Sequence, residues 1–367
     1  MSHAIVPTKK DQSQAATAKN KVTMKGLVYG GPGKIAYKEI PKPHIEKPTD
    51  AIVRILKTTI CGTDLGILHG KTPSVQPGTT LGHEGIGIIE KVGAGVNKFK
   101  KGDRVIISCI TACGSCEYCK KQMYGHCKDG GWILGNLING TQAAFVRIPY
   151  ADNSLYAAPE GVDDEALVML SDILPTGHEM GVINGCVQPG DTIAIVGAGP
   201  IGMSALLTAK FYSPAKIYMI DLDENRLKLA KKWGATDTIN SGSNDAVKQI
   251  LSETADGVDV AIEAVGAPAT FDICQQIVRP GGHVANIGVH GKSVDLKIQE
   301  LWIRNITITM GLVNTNTTPM LLKTVTSGKL QPEKLITHHF KLDEIIQAYE
   351  VFGNAAQEKA LKIILTN

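Results

Sequence analysis

Thr192–Gly202, reading TIAIVGAGPIG, decides the fold. Thr192–Val196 is a short apolar run of the kind that makes a buried strand. It leads directly into Gly197-Ala198-Gly199-Pro200-Ile201-Gly202, which opens a helical pattern over Gly202–Phe211. A G-x-G-x-x-G alone is weak, because glycine-rich turns are common. A strand before it and a helix after it are what its mechanics require. Gly197 permits the tight turn, Gly199 lets the backbone approach a pyrophosphate, and Gly202 lets helix and strand pack closely. The helix start, with Pro200 and Ile201, offers unpaired N–H groups and a positive dipole end to phosphates.

Working outward, Lys216–Ile220 reads as the next strand and Asn225–Trp233 as its helix. Val258–Ala261, His283–Ile287 and Ile306–Met310 supply further strands with helical patterns between them. That alternation predicts a parallel sheet covered by helices on both faces. Asp221 ends the second strand, where a carboxylate can bind ribose hydroxyls. A 2′-phosphate would face that carboxylate, so NAD(H) is expected over NADP(H). Arg226 lies nearby, either at the ribose edge or on a solvated helix face. Val265 and Ile287 complete the candidate nucleotide contacts.

Before this region the rhythm differs. From Lys25 to about Leu170 short alternating stretches, Ala51–Leu56, Gly85–Val92 and Arg104–Ile107, are separated by Gly- and Pro-marked turns. They predict a compact β-barrel. The tail, a helix over Leu342–Phe352 and a strand over Ala360–Leu365, is positioned to return to that barrel. At 367 residues, two domains are the natural expectation. Charged content of 20% and hydrophobic content of 43% are those of a water-soluble chain. A net charge of +3 gives no footprint for nucleic acid. No apolar run approaches the roughly 18 residues that span a bilayer. Residues 1–23 read as a polar, flexible extension without a secretory signal, which makes the cytoplasm the expected location.

Cys113, Cys116, Cys119 and Cys127 read C-G-S-C-E-Y-C-x7-C. Thiolates so spaced can converge on one tetrahedral Zn²⁺, and in a reducing compartment that reading outweighs two disulfides. A closed four-sulfur site leaves the metal no open position, so its role is structural. Cys109 falls outside the spacing and reads as buried filler. A second set is sparser: Cys61-Gly62-Thr63-Asp64, Gly82-His83-Glu84 and Asp172. Cysteine, histidine and carboxylate together suit a Zn²⁺ with one position left open.

These motifs, together with GHEGIGIIEKVGAGV, KGDRV and SDILPTG, resemble the zinc-dependent medium-chain alcohol dehydrogenase family from Met24 to Asn367. The form with aspartate as third ligand is that of its microbial branches. The resemblance implies a GroES-like β-barrel catalytic domain interrupted by a Rossmann domain. The barrel would take residues 24–172 and 311–367, with a zinc lobe at 109–130, and the NAD-binding domain residues 173–310. It implies two Zn²⁺ per subunit, the catalytic one held by Cys61, His83 and Asp172. Glu84 is either a fourth ligand that swaps with water or substrate, or a carboxylate behind the ligands. Asp64 would orient His83, Thr63 would take the alcohol proton, and Thr176 would lie beside the nicotinamide.

One departure is visible: Gly66 stands where many relatives carry a relay histidine, with the nearby His69 as a substitute or a surface residue. Trp132, Leu174 and Leu312, the last in the stretch LVNTNTT, suggest an apolar pocket for alkyl or aryl groups. The implied reaction is NAD(H)-linked hydride transfer between small-molecule alcohols and aldehydes or ketones by a homo-oligomer, a tetramer being favoured over a dimer. A polyol or diol dehydrogenase is the runner-up; a non-catalytic nucleotide-binding protein comes third.

Overall fold

A computed structural model describes residues 22–367. The extension expected at residues 1–23 lies outside the described residues as far as residue 21, and Thr23 already belongs to a strand, Thr23–Gly31. The nucleotide-type region keeps the predicted strand–helix alternation and adds one strand the pattern did not announce, the short and partly polar Asp237–Asn240. Thr192–Val196, Lys216–Asp221, Asp237–Asn240, Val258–Glu263, Val278–Asn286 and Thr307–Met310 form a six-stranded sheet whose pairings are all parallel.

Its central strands, Thr192–Val196, Lys216–Asp221 and Val258–Glu263, are largely apolar and buried because helices cover both faces. Pro200–Ala209 and Glu224–Trp233 close one core around Ile193, Ile195, Met203 and Leu206. Ala246–Thr254 and Pro268–Ile277 close the other around Val196, Tyr218, Ile250 and Phe271. In chain order the strands run 3-2-1-4-5-6 across the sheet, so the order reverses between Thr192–Val196 and Val258–Glu263. The crevice at that reversal is where open α/β sheets take ligands.

The second sheet joins Ile336–Lys341, Lys362–Thr366, Ala51–Thr59, Gly85–Val92, Arg104–Ile107 and Leu155–Ala157 in that order, with Phe145–Ile148 also paired to Ala51–Thr59. The tail does return: Ile364–Thr366 pairs antiparallel with Lys57–Thr59. Its strand is Lys362–Thr366, shorter at its start than expected.

Between the two sheets runs a segment the hydrophobic pattern did not predict as a helix, Ile173–Thr176 continued by a wider π-type turn over Gly177–Ile183. It is pinned to the first nucleotide-domain helix by Ser204, whose hydroxyl donates to the Ile173 carbonyl at 2.6 Å. Helical segments with such an extra residue per turn recur at functional sites. Among the described residues no helix is long and apolar enough to cross a membrane.

Candidate metal centres and active site

The cysteine lobe is a local structure. Cys116 precedes the helical turn Glu117–Lys120, Cys119 lies inside it, and Gln122 at φ 60° reverses the chain into the turn Tyr124–His126 and then Cys127. The four sulfurs lie within 4.8 Å of one another. Cys113 and Cys119 Sγ are 3.9 Å apart, near the edge of about 3.8 Å for a tetrahedron with ~2.3 Å Zn–S bonds. All eight cysteines are unpaired thiols. Backbone N–H groups of Ser115 and Cys116 donate to Cys113 Sγ, and that of Cys113 to Cys127 Sγ. Burial opposes a Cys113 thiolate, but the Ser115 and Cys116 donors bring its pKa to about 6. Burial pushes Cys119 up to about 12. Four such sulfurs cannot all be charged without a cation between them, so the donor chemistry fits Zn²⁺.

The sparser set also converges. Cys61 caps the start of the helix Gly62–Leu68, His83 sits in the loop before Gly85–Val92, and Asp172 precedes Ile173–Thr176. Their donor atoms lie within 4.8 Å of one another. Asp172 Oδ2 is 3.3 Å from His83 Nε2 and 3.9 Å from Cys61 Sγ. Thr176 donates to Asp172 Oδ1 at 2.6 Å, and so does the Cys109 thiol at 3.4 Å. Thr176 therefore braces the aspartate in this structure, and Cys109 is not inert filler. Thr63, half-buried, lies in the first turn after Cys61.

Charge decides what belongs here. Asp64, Glu84 and Asp172 converge on one buried region, with Lys362 as their one lysine. Burial works against a charged His83, yet Asp172 and Cys61 outweigh it and hold its pKa well above the ordinary value. Burial alone would raise Asp172, but His83 and Thr176 hold it well below the usual carboxylate range. The cluster thus calls for positive charge between its three donors. A divalent cation fits that demand, and sulfur, imidazole and carboxylate suit zinc.

Glu84 has one oxygen engaged and one free: its Oε1 is buried without a partner. Its Oε2 is taken by Lys362 Nζ at 2.5 Å and by the Thr59 hydroxyl, and it stands apart from the three converging donors. A buried ammonium thus engages one oxygen of the carboxylate. Lys362 was missed, although a lysine inside the apolar run Leu361–Leu365 was the signal for it. Asp64 faces His83 Nδ1 at 3.9 Å, too far for a hydrogen bond, so it acts there by charge. Its Oδ2 accepts from the Cys61 N–H at 2.8 Å and from Gln142 Nε2 at 3.2 Å. Tyr349 in turn donates to Gln142 at 2.8 Å, a buried chain from the C-terminal helix that no sequence motif announces.

On the nucleotide side Gly197 has φ +110°, and a Cβ on Gly202 would lie 1.8 Å from the Gly197 carbonyl oxygen, so both need glycine. Over Gly199 the space is open, the Arg226 guanidinium being nearest at 3.8 Å. Arg226 Nε is buried without a partner, which suits an anionic group at the turn. Asp221 accepts from the N–H groups of Ala198, Leu222 and Asp223, so it braces the turn. Val265 borders Gly197, and Ile287 packs against Gly181 and an apolar cluster.

This small apolar cluster beside the three donors gathers Cys109, Ile110, Met180 and Val313 with the half-buried Trp132 and Tyr124. The Trp132 ring meets His83 edge-on at 6.2 Å. Leu174 does not join it, being fully buried in the core between the domains. Leu312 is partly exposed beside Gly125 of the lobe. His69 is exposed at the end of its helix.

Residues 47–160 match the family model described as an alcohol dehydrogenase GroES-like domain, and residues 200–327 the one described as a zinc-binding dehydrogenase. An alcohol dehydrogenase of Cupriavidus necator is 35% identical, covering 93% of this chain and 98% of its own. Among solved structures, zinc dependent alcohol dehydrogenase 2 from Streptococcus pneumonia, in its apo form, is 58% identical with a TM-score of 0.90, over 94% of this chain and 98% of that one. Alcohol dehydrogenase TADH from Thermus sp. ATN1 is 36% identical with a TM-score of 0.87, over 94% and 99%. The chain belongs to the zinc-dependent medium-chain alcohol dehydrogenases, oxidoreductases that interconvert small-molecule alcohols and their carbonyl counterparts.

Proposed function

We propose that Cys61, His83 and Asp172 hold the reactive zinc and that the chain carries out reversible NAD(H)-linked hydride transfer on primary or secondary alcohols with apolar alkyl or aryl groups. The observation that carries this is the meeting of three unlike donors beside an apolar cluster of Cys109, Ile110, Met180 and Val313. Zinc, when bound, supplies Lewis-acid polarisation of the substrate oxygen. NAD(H), when bound, supplies or accepts the hydride.

The remaining work belongs to side chains. Thr63 takes the alcohol proton at its hydroxyl and, with Gly66 in the relay position, passes it to solvent. Asp64, held by Gln142, fixes the field at His83. Glu84, paired with Lys362, serves as a carboxylate behind the ligands. Trp132, Met180 and Val313 exclude water around the reacting carbon. Gly197, Gly199 and the start of Pro200–Ala209 seat the pyrophosphate. Asp221 disfavours a 2′-phosphate and selects NAD(H), while Arg226 faces the phosphates.

The same reading assigns two zincs per chain, the second in the cysteine lobe. Residues 24–172 and 311–367 form the catalytic unit and 173–310 the nucleotide unit. Self-association is supported by the sheet's edge strand Thr307–Met310, near which Trp302, Ile303 and Met310 are each about two-thirds exposed or more. A homotetramer in the cytoplasm completes the proposal.

The test is a panel of alcohols and ketones assayed with NAD(H) and NADP(H), with zinc measured on the same sample. Turnover of alkyl or aryl substrates, faster with NAD(H), is expected. Activity confined to polyols or diols, or equal efficiency with NADP(H), would overturn the corresponding part.

A further inference from the structure

Glu179 has no part in the hydride transfer, yet it is one of the most heavily engaged side chains among the described residues. It is buried on the π-type turn that continues from Asp172 and Thr176. Its Oε2 accepts from the N–H groups of Asn314 at 2.9 Å and Thr315 at 3.1 Å. Its Oε1 accepts from the Thr317 N–H and the Thr317 hydroxyl, both at 2.9 Å. One buried carboxylate thus takes four donors from a single loop, the loop in which the chain leaves the nucleotide sheet.

That loop is tied in two other directions. Toward the cysteine lobe, Gly125 N–H donates to Asn314 Oδ1 at 3.0 Å, and Asn316 Nδ2 donates to the Gln122 carbonyl at 2.9 Å. Gly125 also approaches the Val313 carbonyl so closely that a Cβ would stand 2.6 Å from it. Toward the barrel, Tyr156 donates to the Thr315 carbonyl at 2.9 Å, and Ser108 lies 3.0 Å from the Thr315 hydroxyl. Thr315 itself is held at φ 60°, a conformation disfavoured for a β-branched residue unless its surroundings impose it. Val313, just before the anchored residues, packs with Cys109 and Met180 in the apolar cluster, and the Cys109 thiol reaches Asp172.

We propose that Glu179 is a positioning residue: it seats the Asn314–Thr317 loop so that Val313 closes the apolar wall, and it thereby couples the cysteine lobe to the substrate site. This rests on the reading of Cys61, His83 and Asp172 as the reactive centre. A residue that only capped the loop would affect stability; one that sets the wall also changes how substrates are bound.

The experiment compares zinc-loaded wild type with Glu179→Gln, Asn314→Ala and Thr317→Val. Steady-state kinetics are taken on straight-chain alcohols from ethanol to hexanol, with zinc release to a chromophoric chelator on the same samples. In Glu179→Gln the amide NH2 would face backbone donors, so the loop loses half its acceptors. Its KM for the longer alcohols is expected to rise about tenfold with kcat within about threefold, because ground-state packing is what is lost. Preference for longer chains should flatten. Asn314→Ala, which cuts the link to Gly125 alone, should release the lobe's zinc several times faster and raise KM less, about threefold.

Wild-type KM values and wild-type zinc release in variants that merely melt earlier would overturn the proposal. If Glu179→Gln does not fold, Thr317→Val decides by the same KM pattern, since it removes one donor and no charge. If the wild type turns over none of the alcohols, the proposed function fails first. The coupling is then judged by zinc release: faster release in Asn314→Ala supports it, and unchanged release overturns it.

Discussion

Cys113, Cys116, Cys119 and Cys127 lie in one loop and bring four donors of one kind, whereas Cys61, His83 and Asp172 lie on three separate elements and bring three kinds. Around the lobe the neighbouring polar groups are mostly backbone N–H, which stabilise thiolates without competing for the metal. Around the dispersed set they are charged: Asp64, Glu84 and Lys362. A local loop can complete a closed site by its own turns. An open site needs the fold to hold donors apart, together with charges that tune them and a pocket on the remaining side. The two clusters thus already differ in how the chain delivers their donors.

Removing a donor from each cluster should separate the two roles most strongly. His83→Ala is expected to lower kcat/KM by about a thousandfold or more, several kcal/mol of lost Lewis-acid stabilisation, while the far-UV spectrum stays unchanged. Cys119→Ser should instead lower the melting temperature and keep kcat of the folded fraction within about tenfold. Steady-state kinetics and melting curves on the two variants check both statements.

The charged surroundings come next. Lys362→Met leaves Glu84 buried without its cation, and a denaturation midpoint should report a loss of about 3–5 kcal/mol. Adding Glu84→Gln should recover much of it.

Acid should strain the reactive side through His178, which is buried between Phe211 and Tyr212 on the segment that carries Asp172. Burial lowers its pKa to about 4. As pH falls below about 6.5 the unfolded chain takes the proton first. Its contribution is therefore complete above that pH and is lost progressively down to about 4, of order 3 kcal/mol in all. His178→Phe should flatten the pH dependence of the urea midpoint over that window relative to wild type.

Smaller still, Asp64→Asn should weaken zinc retention at the dispersed set about 10–100-fold in a chelator competition and leave the lobe's zinc unaffected.

How much was legible in the sequence follows the same division. Thr192–Gly202 and the cysteine lobe are contiguous, so their spacing carried nearly all of their geometry. Cys61, His83 and Asp172 could be named one by one, yet only the fold shows that their donor atoms meet. Their surroundings were less readable. Glu84 could be named from its place after His83 as a ligand or as a carboxylate behind the ligands, and only the returning strand Lys362–Thr366 brings the lysine that engages it. Cys109 looked idle until Asp172 was placed beside it, and Leu174 looked like pocket although its side chain turns into the core. Gln142, Tyr349 and Glu179 belong to no motif; each acts through hydrogen bonds to chain that is remote in sequence, one for Tyr349 and four for Glu179. Residue type is written in the sequence, but burial and partner choice at isolated polar positions are set by the packing.

The most direct test of the account is zinc per chain and NAD-linked alcohol turnover, measured together on wild type and Cys61→Ser. The expected result is two zincs falling to one, with turnover lost and the fold retained. Turnover that survives in Cys61→Ser, or a zinc content unchanged by the substitution, would contradict it.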